Sequence, residues 1–216
     1  NYLLRKQGAG RDNFLQAGGF LKSREGLDRP DLQLHFVNAI MMDHARTQVK
    51  ADGFTIHACQ LRPESRGSVT LASADPFDHP LIDPNYLATE EDRRAMREGV
   101  KICREIAGQN AFDALRGDEI MPGQDVRTDD EIDAFIRRTG ETIYHPIGTV
   151  RMGVDDAAPL DGELRVRGIE GLRVVDASVM PTLVSGNTNA PTIMVAEKAA
   201  DMIRGLAAPN PAEIAE

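Results

Sequence analysis

Five histidines, two cysteines and a few loop asparagines are the reactive stock of this chain, and one histidine stands apart from the rest. His145 sits in Tyr144-His145-Pro146, 42 residues before Asn187 in the polar stretch Val184-Ser185-Gly186-Asn187-Thr188-Asn189. Histidine is the natural general base because its charge changes near working pH. An asparagine amide can hold an oxygen as that oxygen gains negative charge. By themselves the two residues are equally a structural histidine and a turn-forming asparagine. Other chemistries fit worse. His35, His44, His57 and His79 are scattered, with no i+3 or i+4 pairing that would make a helical metal site. Ser185 lacks the glycine two positions before it that a nucleophile elbow needs. Cys59 and Cys103 have neither metal-ligand nor redox spacing and read as buried thiols. Gly8-Ala9-Gly10 follows the polar Arg5-Lys6-Gln7, and Asn13 stands where a dinucleotide fingerprint wants its third small residue. It reads as a turn.

The elements that must carry His145 and Asn187 follow from pattern. Phe14 to Leu21 is strand-like, 31–37 alternates as a half-buried strand, and 54–61 and 67–72 are two more, joined by a hairpin-length connection. His35 falls on the polar phase of its strand, which predicts a solvated or sheet-edge position. Pro76 to Pro84 reads as an irregular loop. Glu90 to Ala107 is a helix capped by Thr89, and Asp129 to Arg138 a second, with Thr128 as cap and Glu131 in the capping-box position. Val174-Val175 is a short return strand ended by Asp176. Pro191 then opens a terminal helix whose apolar side is Ile193, Met194, Ala196, Ala200 and Ile203, stopped by Gly205. A polar loop feeding a helix N-terminus suits an anion, or a group that becomes one.

The bulk numbers set the class. At 216 residues the chain is one large domain or two small ones, and 41% hydrophobic with 27% charged is a globular balance. A net charge of −9 with no Lys/Arg cluster excludes a nucleic-acid surface. No apolar run reaches the ~18 residues of a membrane helix. There is no Asn-x-Ser/Thr acceptor, which with the two thiols favours an intracellular, cytoplasmic setting. The expected class is α+β: a mostly antiparallel sheet with flanking helices, then a return strand and terminal helix made to pack on something else.

Three stretches together closely resemble the C-terminal end of the glucose-methanol-choline (GMC) flavoprotein oxidoreductases. They are His145-Pro146-x-Gly148-Thr149-x-x-Met152-Gly153, Gly171-Leu172-Arg173-Val174-Val175-Asp176-Ala177-Ser178 and Asn187-Thr188-Asn189-Ala190-Pro191-Thr192. The likeness extends upstream through 61–69 and Asp75-Pro76 to about Gly19. It implies FAD as cofactor, His145 as base and Asn187 as its second polar group. Asp176 and Ala177 would then contact the cofactor's ribityl and diphosphate region; Asp176 is on local evidence equally a simple turn residue. Asn189, Pro191 and Thr192 would line the flavin edge, with the N–H groups of Thr192 and Ile193 facing the charge that gathers there on reduction. No metal is implied.

The resemblance further divides the chain into a substrate-binding portion (1–165), a strand-loop-helix that completes the FAD site (166–206) and a frayed tail (207–216). It implies a missing N-terminal FAD-binding domain as partner and an alcohol as substrate, with dehydrogenase favoured over oxidase. Only Tyr144 among the aromatics adjoins the chemistry, and one ring is not a cation cage. The expectation is therefore an uncharged primary alcohol held near Phe36 and Met41-Met42. The alternative is a non-catalytic binding domain that keeps the family's framework.

Overall fold

The first α-helix among the described residues, α1 (Glu90–Ala107), begins where Thr89 turns the chain and accepts the Asp92 N–H on its hydroxyl at 3.2 Å. The second, α2 (Asp129–Thr139), has the full capping box: Thr128 accepts from the Glu131 N–H at 3.3 Å while the Glu131 carboxylate accepts from the Thr128 N–H at 2.8 Å. Both starts fall where the caps predict, because a cap is a local contract between residues three apart. These features belong to a computed structural model that describes residues 15–47 and 49–207. The Gly8-Ala9-Gly10 turn and the tail beyond Ala207 lie outside the described residues.

Two compact units divide the chain. Unit 1 comprises residues 1–67 and 82–143, and unit 2 comprises 68–81 and 144–216. In unit 1, β1 (Leu15–Leu21), β2 (Leu32–Val37) and β3 (Thr55–Gln60) form an antiparallel sheet in the order β1-β2-β3. Leu32 and Leu34 are buried on the face that α1 covers. Gly99 brings α1 close there: a Cβ on it would lie 3.0 Å from the Ala58 methyl. Phe36 stacks on Phe54 at 5.3 Å between ring centroids, and Phe112 packs against both, so these rings pack unit 1. His35 is neither solvated nor at an edge. It is half-buried on the central strand, directly opposite His57.

Two further expectations fail for one reason: a strand is a pairing and not a local conformation. The predicted strand at 67–72 does not join the sheet through a hairpin. Its core, β4 (Ser68–Thr70), pairs instead with β5 (Leu81–Asp83), inside the stretch read as loop. The return strand at 174–175 forms no ladder. Around it are isolated bridges, Arg165 with Arg173 and Leu160 with Val166, and single bonds such as Val174 N–H to the Leu164 carbonyl at 3.2 Å. Architecture is thus α+β, with small antiparallel pairings and three α-helices among the described residues, and less sheet than the pattern suggested.

Unit 2 packs on Leu160, Leu164, Val179 and Ala199, with Val150, Met152, Val166, Val174, Val175 and Val195 around them. Ala199 and Val195 belong to α3 (Asn189–Arg204), which ends on left-handed Gly205 as expected. The apolar side expected of α3 is not the one that packs within unit 2. Ile193, Met194 and Ile203 are each more than half exposed and Ala196 and Ala200 are exposed, while the 195/199 stripe is the one turned inward.

Candidate active site

Hydrogen bonds within unit 2 bring the three motifs into one piece. The Val150 N–H bonds the Ser178 carbonyl at 3.2 Å and the Met152 N–H bonds the Val179 carbonyl at 2.8 Å, so the segment after His145 lies along the turn after Asp176. Gly148 takes φ +87 in that segment, a conformation L side chains rarely adopt. Tyr144, at φ 62, enters the same left-handed region without being glycine, directly before His145. Held strain of this kind is frequent beside functional side chains. The Asp176 carboxylate accepts the Ser178 N–H at 2.8 Å and starts a one-turn helix, Ala177–Val179. Asp176 therefore serves as a turn former, and it is also exposed.

His145 and Asn187 meet. The Asn187 Nδ2 lies 2.9 Å from His145 Nε2, and the Thr188 Oγ1 lies 3.0 Å from His145 Nδ1. With the amide nitrogen facing it, Nε2 acts as acceptor, and the Nδ1–H then donates to the Thr188 hydroxyl oxygen. In that tautomer the basic lone pair is on Nε2. Thr188 is 7% exposed and is the N-cap of α3, so the ring is held by a residue fixed at the root of a four-turn helix. Thr188 lies within its motif with no role that the residue types alone assign. Its position between two asparagines, one residue before a helix, was the available signal.

The first turn of α3 differs from expectation in one respect. The Thr192 N–H is already bonded to the Thr188 carbonyl at 3.0 Å, and its hydroxyl donates to the same carbonyl at 2.7 Å. Helix geometry leaves the earlier N–H groups, those of Asn189 and Ala190, without intrahelical acceptors, and both residues are exposed. Pro191 has no N–H to offer. Ala177, Asn189, Pro191 and Thr192 thus share unit 2 with the His145–Asn187 pair. Among the described residues no cluster of three or more His, Cys, Asp or Glu side chains suits a metal ion, and no helix is long and apolar enough to cross a membrane.

The chain as a whole is similar to known proteins. Residues 63–196 match the family model described as GMC oxidoreductase. The chain is 50% identical over 203 residues to an alcohol dehydrogenase [acceptor] of Pseudomonas putida, covering 94% of this chain and 37% of that protein. It is 48% identical over 204 residues to an oxygen-dependent choline dehydrogenase of Pseudomonas fluorescens SBW25, covering 94% and 36%. Among solved structures it is similar to a variant of the Aspergillus oryzae RIB40 formate oxidase, studied for modification of its FAD. The TM-score there is 0.77 at 34% identity, over 83% of this chain and 32% of that one. The chain therefore spans little more than a third of the length of these curated relatives, and by the extent of the match it belongs to the GMC oxidoreductase family.

Proposed function

We propose that this chain is the C-terminal part of an FAD-dependent oxidoreductase that oxidises the CH–OH group of an alcohol, with His145 as general base and Asn187 as partner of the developing alkoxide. The contact between His145 Nε2 and Asn187 Nδ2, backed by Thr188 on Nδ1, carries this reading. Two nitrogens 2.9 Å apart, one accepting and one donating, suit a hydroxyl that gives its proton to the first and takes a hydrogen bond from the second. His145 accepts the hydroxyl proton as the α-carbon loses hydride, and the Asn187 amide steadies the oxygen until the carbonyl forms. Asn187 supplies no proton, so the balance closes on one proton held at Nε2 and one hydride passed on.

FAD, when bound, supplies the hydride acceptor. The residues present fit such a group. The exposed Asn189 and Ala190 N–H groups at the head of α3 suit the negative charge of a reduced flavin edge, a stabilisation of about 0.3–2 kcal/mol. Pro191 and Thr192 shape that turn, and exposed Asp176, with Ala177 after it, offers an acceptor for hydroxyls of the ribityl chain. In this reading 1–165 is the substrate side and 166–206 completes the FAD site, while an FAD-binding domain supplies the rest. The substrate is an uncharged alcohol, and dehydrogenase is favoured over oxidase. Cys59 and Cys103 are thiols outside any disulfide, as a reducing compartment such as the cytoplasm keeps them, and burial raises both pKa values, that of Cys103 to about 11. A purely binding domain would leave the His145 contacts without use.

In the flavin-loaded enzyme, His145→Ala is expected to slow flavin reduction by roughly 10²–10⁴-fold, measured by anaerobic stopped-flow bleaching. A variant that loses only substrate affinity, with the reduction rate intact, would show that His145 positions the alcohol and is no base.

A further inference from the structure

All three α-helices among the described residues start on a threonine, and the third does not use it as a cap. Thr89 and Thr128 are extended at the N-cap, with φ −91, ψ 154 and φ −78, ψ 158, and each hydroxyl accepts an N–H of its own helix. Thr188 sits at φ −89, ψ −7, already helical, and makes no side-chain capping bond. Its hydroxyl lies instead 3.0 Å from His145 Nδ1, 43 residues away in sequence. A residue that breaks a local rule without local gain marks a place where function sets the choice. The backbone beneath that hydroxyl is clamped. The Thr188 carbonyl accepts both the Thr192 N–H at 3.0 Å and the Thr192 hydroxyl at 2.7 Å. The two edges of the imidazole also differ: Nε2 meets exposed Asn187, while Nδ1 meets Thr188, which is 7% exposed.

We propose that Thr188 is the positioning residue of the base: its hydroxyl oxygen accepts Nδ1–H, sets the plane of the imidazole and leaves Nε2 as the only ring atom that exchanges a proton with substrate. The inference rests on the reading of His145 as general base. Which ring nitrogen carries the proton is set by the hydrogen bond that the other one makes. A bond at Nδ1 also stops the ring from turning about its own axis, and so fixes the aim of Nε2 toward the open, Asn187 side. When Nε2 takes the hydroxyl proton, Nδ1–H keeps the same acceptor, so one hydrogen bond serves the ring before and after transfer and no rotation is needed. Without the Thr188 oxygen, nothing on that edge favours Nδ1–H. A turned-over Asn187 amide, accepting on its oxygen, then suits the Nε2–H form, which has no lone pair where the substrate hydroxyl arrives. Thr188 touches neither substrate nor cofactor in this scheme, and it acts through the ring alone.

¹⁵N-histidine NMR of the full chain reads the ring without turnover, at a pH where the ring is neutral. The wild type should show His145 protonated on Nδ1 and bare on Nε2. Thr188→Val should populate the Nε2–H form, and Thr188→Ser, which keeps the oxygen, should restore the wild-type pattern. A wild type protonated on Nε2, or a Thr188→Val pattern identical to wild type, would overturn the proposal. In the flavin-loaded enzyme, Thr188→Val should slow flavin reduction by about 10–100-fold, the usual cost of losing a partner that orients a functional imidazole, with the alcohol's Kd changed less than about threefold. Thr188→Ser should recover most of that rate. Equal losses in the two variants, or a loss confined to Kd, would mean a packing role and overturn the proposal as well. Intact flavin reduction in His145→Ala would sink the base reading and the proposal together, whereas a slow His145→Ala beside an unmoved Thr188→Val pattern sinks the proposal alone. Should far-UV circular dichroism show Thr188→Val unfolded, Thr188→Ala is read in its place under the same criteria.

Discussion

Unit 1 joins its pieces with buried charge, whereas the charge of unit 2 stays on its surface. In unit 1, Arg97 is 9% exposed and gathers Glu90, Asp129 and Asp133, the last at 2.9 Å, so that α1 and α2 share one guanidinium. Asp92, 1% exposed, receives the Gln60 amide and the Glu64 and Ser65 N–H groups, each at 2.8 Å, and the Ser65 hydroxyl besides. In unit 2 the ion pairs Arg151–Asp155 and Arg165–Asp161 run along exposed loops, and Ile193, Met194, Ile203, Leu172 and Val184 stand open to solvent. One unit has its polar groups matched within itself. The other leaves these apolar side chains exposed beside its polar loops. Buried charge demands matched partners, and Arg97 and Asp92 find theirs within unit 1.

The sharpest way to break this contrast is Asp92→Ala. Four donors would lose their acceptor in the interior, at an expected loss of about 3 kcal/mol from the urea midpoint. Burial alone would raise the Asp92 pKa, yet the hydrogen bonds from Ser65, Glu64 and Gln60 outweigh it and hold the pKa below its ordinary 3.8. The wild type should therefore lose this contribution as pH falls through that depressed value, and Asp92→Ala should lack that limb. A loss under about 1 kcal/mol would mean that the loop at 63–65 is not held by this carboxylate.

A smaller effect is expected from Gly148→Ala in unit 2. The position has φ +87, and an added Cβ would sit 3.4 Å from the Met180 carbonyl, so the backbone conformation and not the space opposes it. About 1–2 kcal/mol is the usual penalty for an L side chain in left-handed backbone. The same substitution should shift the His145 imidazole ¹⁵N signals, because Gly148 lies in the segment that delivers the ring. Unshifted signals together with unchanged stability would show that unit 2 tolerates rearrangement there, and the contrast between the units would then be one of rigidity as well as charge.

What could be read from the sequence follows how local each feature is. The starts of α1 and α2 were legible because Thr89, Thr128 and Glu131 act within one turn. The half-buried alternation of 32–37 marked β2 correctly. Pairing was not legible: β5 lies between prolines in His79-Pro80-Leu81-Ile82-Asp83-Pro84, and nothing local says that it will find β4. Which stripe of α3 packs within unit 2 was not legible because Ile193, Met194, Val195, Ala196, Ala199 and Ala200 surround the helix, and periodicity cannot choose among apolar stripes when nearly every stripe is apolar. His145 and Asn187 were legible as types and motifs. That Thr188 holds the second ring nitrogen depends on a fold bringing residues 43 positions apart to 3.0 Å.

The smallest expected effect tests the most local contract. Thr128→Ala removes the side-chain acceptor for the Glu131 N–H and should lower stability by about 1 kcal/mol. The other half of the box is electrostatic and gives it a pH signature. Glu131 accepts the backbone N–H groups of Thr128 and Arg127, both at 2.8 Å, and these bonds hold its pKa below the ordinary 4.5. A carboxylate with a lowered folded pKa stabilises above its unfolded value and loses that contribution as pH falls through the folded one. Thr128→Ala should therefore keep a downturn in stability below about pH 4.5, since both backbone donors to Glu131 remain, whereas Glu131→Gln should flatten it. Urea titrations of the two variants at several acid pH values read this directly. If Thr128→Ala flattened the curve as much as Glu131→Gln, the hydroxyl and the carboxylate would be acting as one unit, and α2 would owe its start to the box as a whole instead of to two separable bonds.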